Sequence, residues 1–201
     1  MKLYHSPRSR SVRARWLLEE LGVPYELVTL DFANGEHKQP RYLHIHPHGA
    51  VPALDDGEVT IFESAAICMH LADKFPDKHL APPLRTPARA LYYQWMVYSM
   101  ATLEPPVVQV FMHTVMLPEA QRSAAAAAEG LQKFGEVAGV LKQALAKQPY
   151  MLGAQFSAAD VMIGSTLGWG SFMGLLNNHP ELEAYVKRLT ERPAYERAQA
   201  D

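Results

Sequence analysis

Apolar positions change their period along this chain. In the first third they come in short runs: Lys2-Leu3-Tyr4-His5 and Tyr25-Glu26-Leu27-Val28-Thr29-Leu30 predict strands, while Ser11–Leu21 carries helical spacing. Gly22-Val23-Pro24 stops that helix by a glycine followed by a proline. From Pro47 to Ser64 a turn, a short apolar run at Ala53-Leu54, an Asp-Gly reversal and a second apolar run predict a hairpin leading into a helix. Proline has no N–H for a ladder, so Pro52 marks a strand start, and X-Pro is where a cis peptide is cheap. Ser64 reads as the N-cap of a helix over Ala65–Phe75.

Beyond Pro76 the strand signal ends. Pro76, Pro82, Pro83 and Pro87 make a stiff linker, and everything after it is helical in period. A long segment from Pro87 to about Phe111 carries Tyr92, Tyr93, Trp95 and Tyr98, and Pro105-Pro106 must kink or break it. Pro118–Lys147 has strong helix-forming composition, and Ser157-Ala158-Ala159-Asp160 is a capping box ahead of an apolar run. A last helix over Pro180–Leu189 halts at Arg192-Pro193, leaving Pro193–Ala200 as a short tail. The order βαβ then ββα implies a small mixed sheet of the thioredoxin-like kind at residues 1–76, a linker at 77–87 and an all-α domain at 88–201.

Composition narrows the classes. The chain has 201 residues, 48% apolar, with a formal net charge of −2, which gives no basic field for nucleic acid. No apolar run approaches the roughly 20 residues of a membrane span, and the first residues lack a signal-peptide stretch. A single cysteine, Cys68, allows no internal disulfide, so a cytoplasmic protein is expected.

The chemistry gathers around Val51-Pro52 and Glu63-Ser64. A cis bond at Val51-Pro52 turns the Val51 backbone outward, leaving its N–H and C=O for an extended peptide. The helix after Ser64 favours an anion at its first N–H groups. Together these halves suit a small anionic peptide. The order Gly49-x-Val51-Pro52-x-Leu54, then Glu63-Ser64-x-Ala66-Ile67, with a helical second half, resembles the cytosolic glutathione S-transferases over almost the whole chain.

That resemblance implies glutathione as co-substrate, a thiolate delivered to a small hydrophobic electrophile, and a homodimer. It implies that Val51, Pro52, Glu63 and Ser64 hold the tripeptide: Glu63 meets the γ-glutamyl ammonium and Ser64 the γ-glutamyl carboxylate. Lys38 or His48 is the expected cation for the glycine carboxylate, with a solvated loop position as the plain alternative for Lys38. Asp160 sits where the family has its buried capping box, and losing it is expected to cost roughly 1–2 kcal/mol.

A cysteine-type thiol has a pKa of about 8.5, and lowering it by two units takes about 2.7 kcal/mol, within reach of one hydroxyl hydrogen bond and a helix N-terminus. The donor belongs where the first strand meets the first helix. Ser9 is the first choice because an ungapped alignment of the segment puts it at the family's serine position. Ser11 follows as a second donor or a cap, Tyr4 corresponds to the tyrosine-type classes but comes early, and Ser6 initiates the turn before Pro7. Local backbone capping is the plain reading of each serine and is compatible with activation.

Absences prune the chemistry. There is no Cys-x-x-Cys, no cysteine near the first helix and no Ser-Ser-Cys-x-x-Arg, so conjugation or peroxide reduction fits better than isomerisation. The His44-x-His46-x-His48 spacing raises a metal, but in the family this is the loop ahead of Val-Pro, with His46-Pro47 in place of Asn-Pro, and no metal is expected. The electrophile is expected in a cleft between the domains, with Tyr98 and Met112 among its lining. A glutathione-dependent peroxidase or dehalogenase, or a non-catalytic glutathione-binding protein, are the alternatives.

Overall fold

The computed structural model describes residues 1–200, and they form two compact units. Residues 1–81 and 191–200 make the first, and Pro82–Thr190 make the second.

The first unit opens with β1 (Lys2–His5), α1 (Ser11–Leu21) and β2 (Glu26–Thr29), then α2 (Pro40–Leu43), the hairpin β3 (Ala53–Asp55) and β4 (Thr60–Phe62), and α3 (Ser64–Lys74). The four strands lie in the order β2-β1-β3-β4, with β1 parallel to β2 and both hairpin strands antiparallel to their neighbours. This is the thioredoxin-like sheet. Leu3 pairs with Leu27 on one side and Leu54 on the other, so the apolar position of each strand falls in one register. Leu3, Leu17, Leu54 and Ile67 are fully buried and form the core under the sheet. Gly22 ends α1 in the left-handed region at φ 64°, its N–H on the Leu18 carbonyl.

Three local readings change. The residue capping α3 is Glu63, not Ser64, and its backbone sits at φ 78°, ψ 117°, so Ser64 becomes the first helical residue. The segment Pro193–Ala200 is not a tail: α9 (Pro193–Gln199) packs on α1 in the first unit. Its reason is chemical. Tyr195 sets its ring edge-on to Trp16 at 4.9 Å, Arg192 forks both oxygens of Glu20 at 2.6 and 2.7 Å, and Arg197 meets Glu19 at 2.7 Å. The 88–201 segment therefore supplies its last residues to the first unit.

The second unit contains α4 (Pro87–Tyr98), α5 (Glu104–Phe111), α6 (Ala124–Leu145), α7 (Ala158–Phe172) and α8 (Pro180–Thr190). Pro105-Pro106 neither breaks nor sharply ends the long segment. A π-turn over Ser99–Leu103 joins α4 to α5, and the prolines fall in the first turn of α5, where an N–H is not needed. A second π-turn, Met112–Met116, follows α5.

Helix α7 is buried almost all round at its start, as its unbroken apolar run demands. The capping box is present there, and the fully buried Asp160 does more than cap. Its carboxylate accepts the Ser157 N–H at 2.9 Å and hydroxyl at 3.0 Å, the Met151 N–H at 2.8 Å and the Tyr185 hydroxyl of α8 at 2.8 Å. Burial pushes the Asp160 carboxyl up from its ordinary value, against the pull of these donors.

Candidate functional site

The strand register puts three loops at one edge of the sheet. Tyr4 pairs with Ala53 and Ala53 with Phe62, so the end of β1, the start of β3 and the end of β4 lie side by side. Just beyond those positions come Ser6–Ser11, Val51-Pro52 and Glu63-Ser64, the segments the sequence singles out.

The Val51-Pro52 peptide is cis. No hydrogen bond within the described residues engages the Val51 N–H or C=O. The loop ahead of it is held by its own side chains. Tyr42 donates to the Ala50 carbonyl at 2.5 Å, and burial pushes that phenol up. Lys38 donates to the His48 carbonyl at 2.9 Å and the Gly49 carbonyl at 3.5 Å. The Lys38 ammonium is therefore engaged on the loop backbone by two of its donors. Gly49 is held at φ 57° with the His37 carbonyl only 2.4 Å from where a Cβ would stand, so no other residue fits there.

The three histidines separate. His46 is buried against Phe62, with ring centroids 4.6 Å apart, and its Nδ1 accepts the His48 N–H at 3.3 Å. Burial first, then the neighbouring His48, pushes the His46 imidazole down. His44 and His48 are exposed, and among the described residues no cluster of His, Cys, Asp and Glu is arranged to hold a metal.

At the third segment Glu63 is exposed in its uncommon positive-φ conformation, of the kind that collects at ligand-binding sites, and Ser64 is buried. The first helical bond of α3 runs from the Ile67 N–H to the Glu63 carbonyl, so the N–H groups of Ser64, Ala65 and Ala66 have no partner within the described residues. An anion suits that end.

Between β1 and α1, Ser9 is half-buried and Ser11 fully buried. Their hydroxyls lie 2.7 Å apart, Ser9 donates to the Ser6 carbonyl at 2.6 Å, and the Ser11 hydroxyl lies 2.8 Å from Nδ1 of the buried His5. Both serines belong to one network rather than to separate caps. Tyr4 is half-buried, its ring 5.5 Å from that of Tyr42. Cys68 is fully buried, and burial pushes its thiol up to about 12, which keeps it protonated and inert. In the second unit Tyr98 is half-buried, its ring 5.2 Å from Trp95, with its phenol pushed up by burial, and Met112 is half-buried at the start of the second π-turn.

Sequence reasoning passed over His5 and Tyr42. A signal for His5 was available: Leu3 and His5 alternate with Lys2 and Tyr4, which puts both on the inward face.

Comparison with known proteins bears on the family and the fold. The glutathione S-transferase N-terminal domain model matches residues 1–73, and the glutathione S-transferase C-terminal domain model matches residues 103–193. Glutathione S-transferase 4 of Zea mays is 33% identical over 187 residues, covering 90% of this chain and 83% of the relative. Glutathione S-transferase 1 of the same plant is 32% identical over 208 residues, covering 100% and 96%. Among solved structures, a sphingomonad glutathione S-transferase complexed with glutathione is 29% identical with a TM-score of 0.86, covering 99% of this chain and 97% of that one. The bacterial transferase BphK, in a ternary complex, is 31% identical with a TM-score of 0.87 over 99% and 98%.

Proposed function

The chain belongs to the glutathione S-transferase family, and we propose that it works as a serine-type enzyme that binds glutathione, stabilises its thiolate through Ser9 and delivers it to a small hydrophobic electrophile. The observation that supports this reading is the edge of the sheet that carries the unpaired Val51 backbone, the open N–H groups of Ser64–Ala66 and the exposed Glu63, and from which the β1–α1 loop bearing Ser9 also leaves.

Each group answers one part of the tripeptide. The Val51 N–H and C=O pair with the cysteinyl backbone as a strand would, and the Pro52 ring fixes the chain that presents them. Glu63 takes the γ-glutamyl ammonium, while Ser64 and the N–H groups behind it take the γ-glutamyl carboxylate. His48 and the remaining donor of Lys38 are assigned to the glycine carboxylate. Tyr98 and Met112 are assigned to the apolar electrophile. Chemistry follows from charge: a thiolate attacks the electrophilic carbon, the leaving group departs with the electron pair, and a thioether results. The protein acts as a homodimer in the cytoplasm on this reading, without a metal.

The experiment is an ultraviolet titration of the thiolate of bound glutathione from pH 5 to 9, in wild type and Ser9→Ala. A depressed thiol pKa that largely returns toward about 8.5 in the variant supports the reading. Binding with no shift in either protein refutes serine activation. Glu63→Ala should abolish retention on immobilised glutathione, and retention at wild-type strength would sink that assignment.

A further inference from the structure

The short contacts between β1 and α1 admit one order of protons. Ser9 Oγ lies 2.6 Å from the Ser6 carbonyl oxygen, which can only accept, so the single Ser9 proton belongs there. The 2.7 Å contact between Ser9 and Ser11 must then use the Ser11 proton. That leaves the 2.8 Å contact from Ser11 Oγ to His5 to be donated by a proton on Nδ1. The reverse order would press a hydroxyl and a carbonyl oxygen together at 2.6 Å with no hydrogen between them.

The same order fills every lone pair. Ser11 Oγ accepts from His5 Nδ1 and from the Ser6 N–H at 3.2 Å, and Ser9 Oγ accepts from the Ser11 hydroxyl and the Ser11 N–H at 3.2 Å. The one Ser11 proton is spent on Ser9, so the longer 3.1 Å approach of Ser11 Oγ to the Ser6 carbonyl competes for that proton only when the hydroxyl turns. His5 and Ser11 are fully buried, so water does not compete for these partners.

We propose that His5 is a positioning residue which, through Ser11, turns Ser9 into a hydroxyl that can only donate to the sulfur of glutathione. This rests on the reading of Ser9 as the thiolate-stabilising group. With both Ser9 lone pairs occupied, sulfur can meet Ser9 only at its proton, replacing the Ser6 carbonyl as acceptor. A thiolate accepts that bond, whereas a thiol cannot donate its own S–H into Ser9. A hydrogen bond confined to the charged form lowers the thiol pKa. Two donors feeding Ser9 Oγ also polarise its O–H. Removing Ser11 opens a Ser9 lone pair directly. Removing His5 takes away the donor that orients the Ser11 hydroxyl, which can then turn from Ser9 to the Ser6 carbonyl 3.1 Å away and open the same lone pair, so that the neutral S–H gains a partner and the selectivity falls.

The test compares wild type, His5→Phe, His5→Asn, Ser11→Ala and Ser9→Ala, each saturated with glutathione, by thiolate absorbance across pH 5 to 9. Glutathione affinity and KM are measured in parallel. His5→Phe and Ser11→Ala should raise the bound-thiol pKa by about one unit, a tenfold loss of thiolate below the pKa, with KM for glutathione nearly unchanged. His5→Asn, whose amide N–H can stand where Nδ1–H stood, should recover most of the shift. A purely structural histidine would lower thermal stability and leave the thiolate pKa alone. The relay is overturned if Ser9→Ala raises the pKa while His5→Phe and Ser11→Ala keep the wild-type value. If Ser9→Ala itself changes nothing, the serine reading falls and takes the relay with it. Should His5→Phe fail to fold, Ser11→Ala removes one oxygen from the middle of the chain and decides the matter.

Discussion

Replacing Asp160 with alanine measures how much of the helical unit hangs on one buried carboxylate. The side chain is inaccessible to solvent, and four donors converge on its two oxygens: the N–H groups of Met151 and Ser157 and the hydroxyls of Ser157 and Tyr185. Truncation orphans two backbone N–H groups and a phenol in a dry site, while the Ser157 hydroxyl can rotate. At about 1 kcal/mol or more for each stranded donor the loss is at least about 3 kcal/mol. The ceiling is about 5 kcal/mol, the range for removing one partner of a buried charged network. This exceeds the roughly 1–2 kcal/mol of a helix cap alone. The cap figure counts the Ser157 pair and omits the two partners from distant segments.

The assay is urea unfolding followed by tryptophan fluorescence and far-ultraviolet circular dichroism, with Tyr185→Phe and the double variant alongside. Tyr185→Phe removes one donor and leaves the carboxylate three, so it should cost about 1 kcal/mol. In the Asp160→Ala background the same change should be neutral or stabilising, because it deletes an orphaned hydroxyl. An Asp160→Ala loss below about 2 kcal/mol, or a Tyr185→Phe cost that is equal in both backgrounds, would refute the network and leave only a local cap.

Two further outcomes follow from the first unit. Asp56 is enclosed and accepts from Lys74 at 2.8 Å, His70 at 2.6 Å and the Glu58 and Val59 N–H groups, and the Lys74 bond first among these holds its carboxyl well below the usual range. A lowered folded pKa gives stability that is present above the unfolded value near 4 and lost as pH falls toward the folded one. Asp56→Asn should therefore melt lower than wild type at pH 7, with the gap closing below about pH 4; a gap constant from pH 7 to 3 would contradict this. Gly49→Ala drives a Cβ to 2.4 Å from the His37 carbonyl at φ 57°. The variant should lose at least about 2 kcal/mol in urea unfolding and bind glutathione more weakly, because the loop leading to Val51 must move; unchanged affinity and stability would exclude that placement.

What the sequence revealed depended on whether a residue type carries its own geometry. Gly22 followed by Pro24 ends α1 because only those residues suit those backbone positions, and the alternation around Leu3 and Leu54 sets the strands because the core is on one side. The cap of α3 was misplaced by one residue for the opposite reason: nothing in the glutamate at 63 announces φ 78°. Pro193 misled differently. A proline ends one helix and also suits the first position of the next, and the contacts that settle α9, Tyr195 on Trp16 and Arg192 on Glu20, lie more than 170 residues away. The π-turn before Pro105-Pro106 has no composition of its own; it is a way of carrying a helix into two residues without N–H groups.

Charge was legible at Lys38, but not the direction that turns its ammonium onto the His48 and Gly49 carbonyls. The same limit applies most sharply at Ser9. Four candidate hydroxyls can be read from the segment Tyr4–Ser11, and their chemistry as donors is common to all of them. What separates Ser9 is where its lone pairs go, and that follows only from three distances, 2.6, 2.7 and 2.8 Å, each of which needs one proton. A hydroxyl with an open lone pair stabilises thiol and thiolate alike, whereas one with both lone pairs filled favours the thiolate. With Ser9 as the proposed thiolate donor, selectivity for the reactive form lies in His5 and Ser11, two buried residues that never need to touch the substrate.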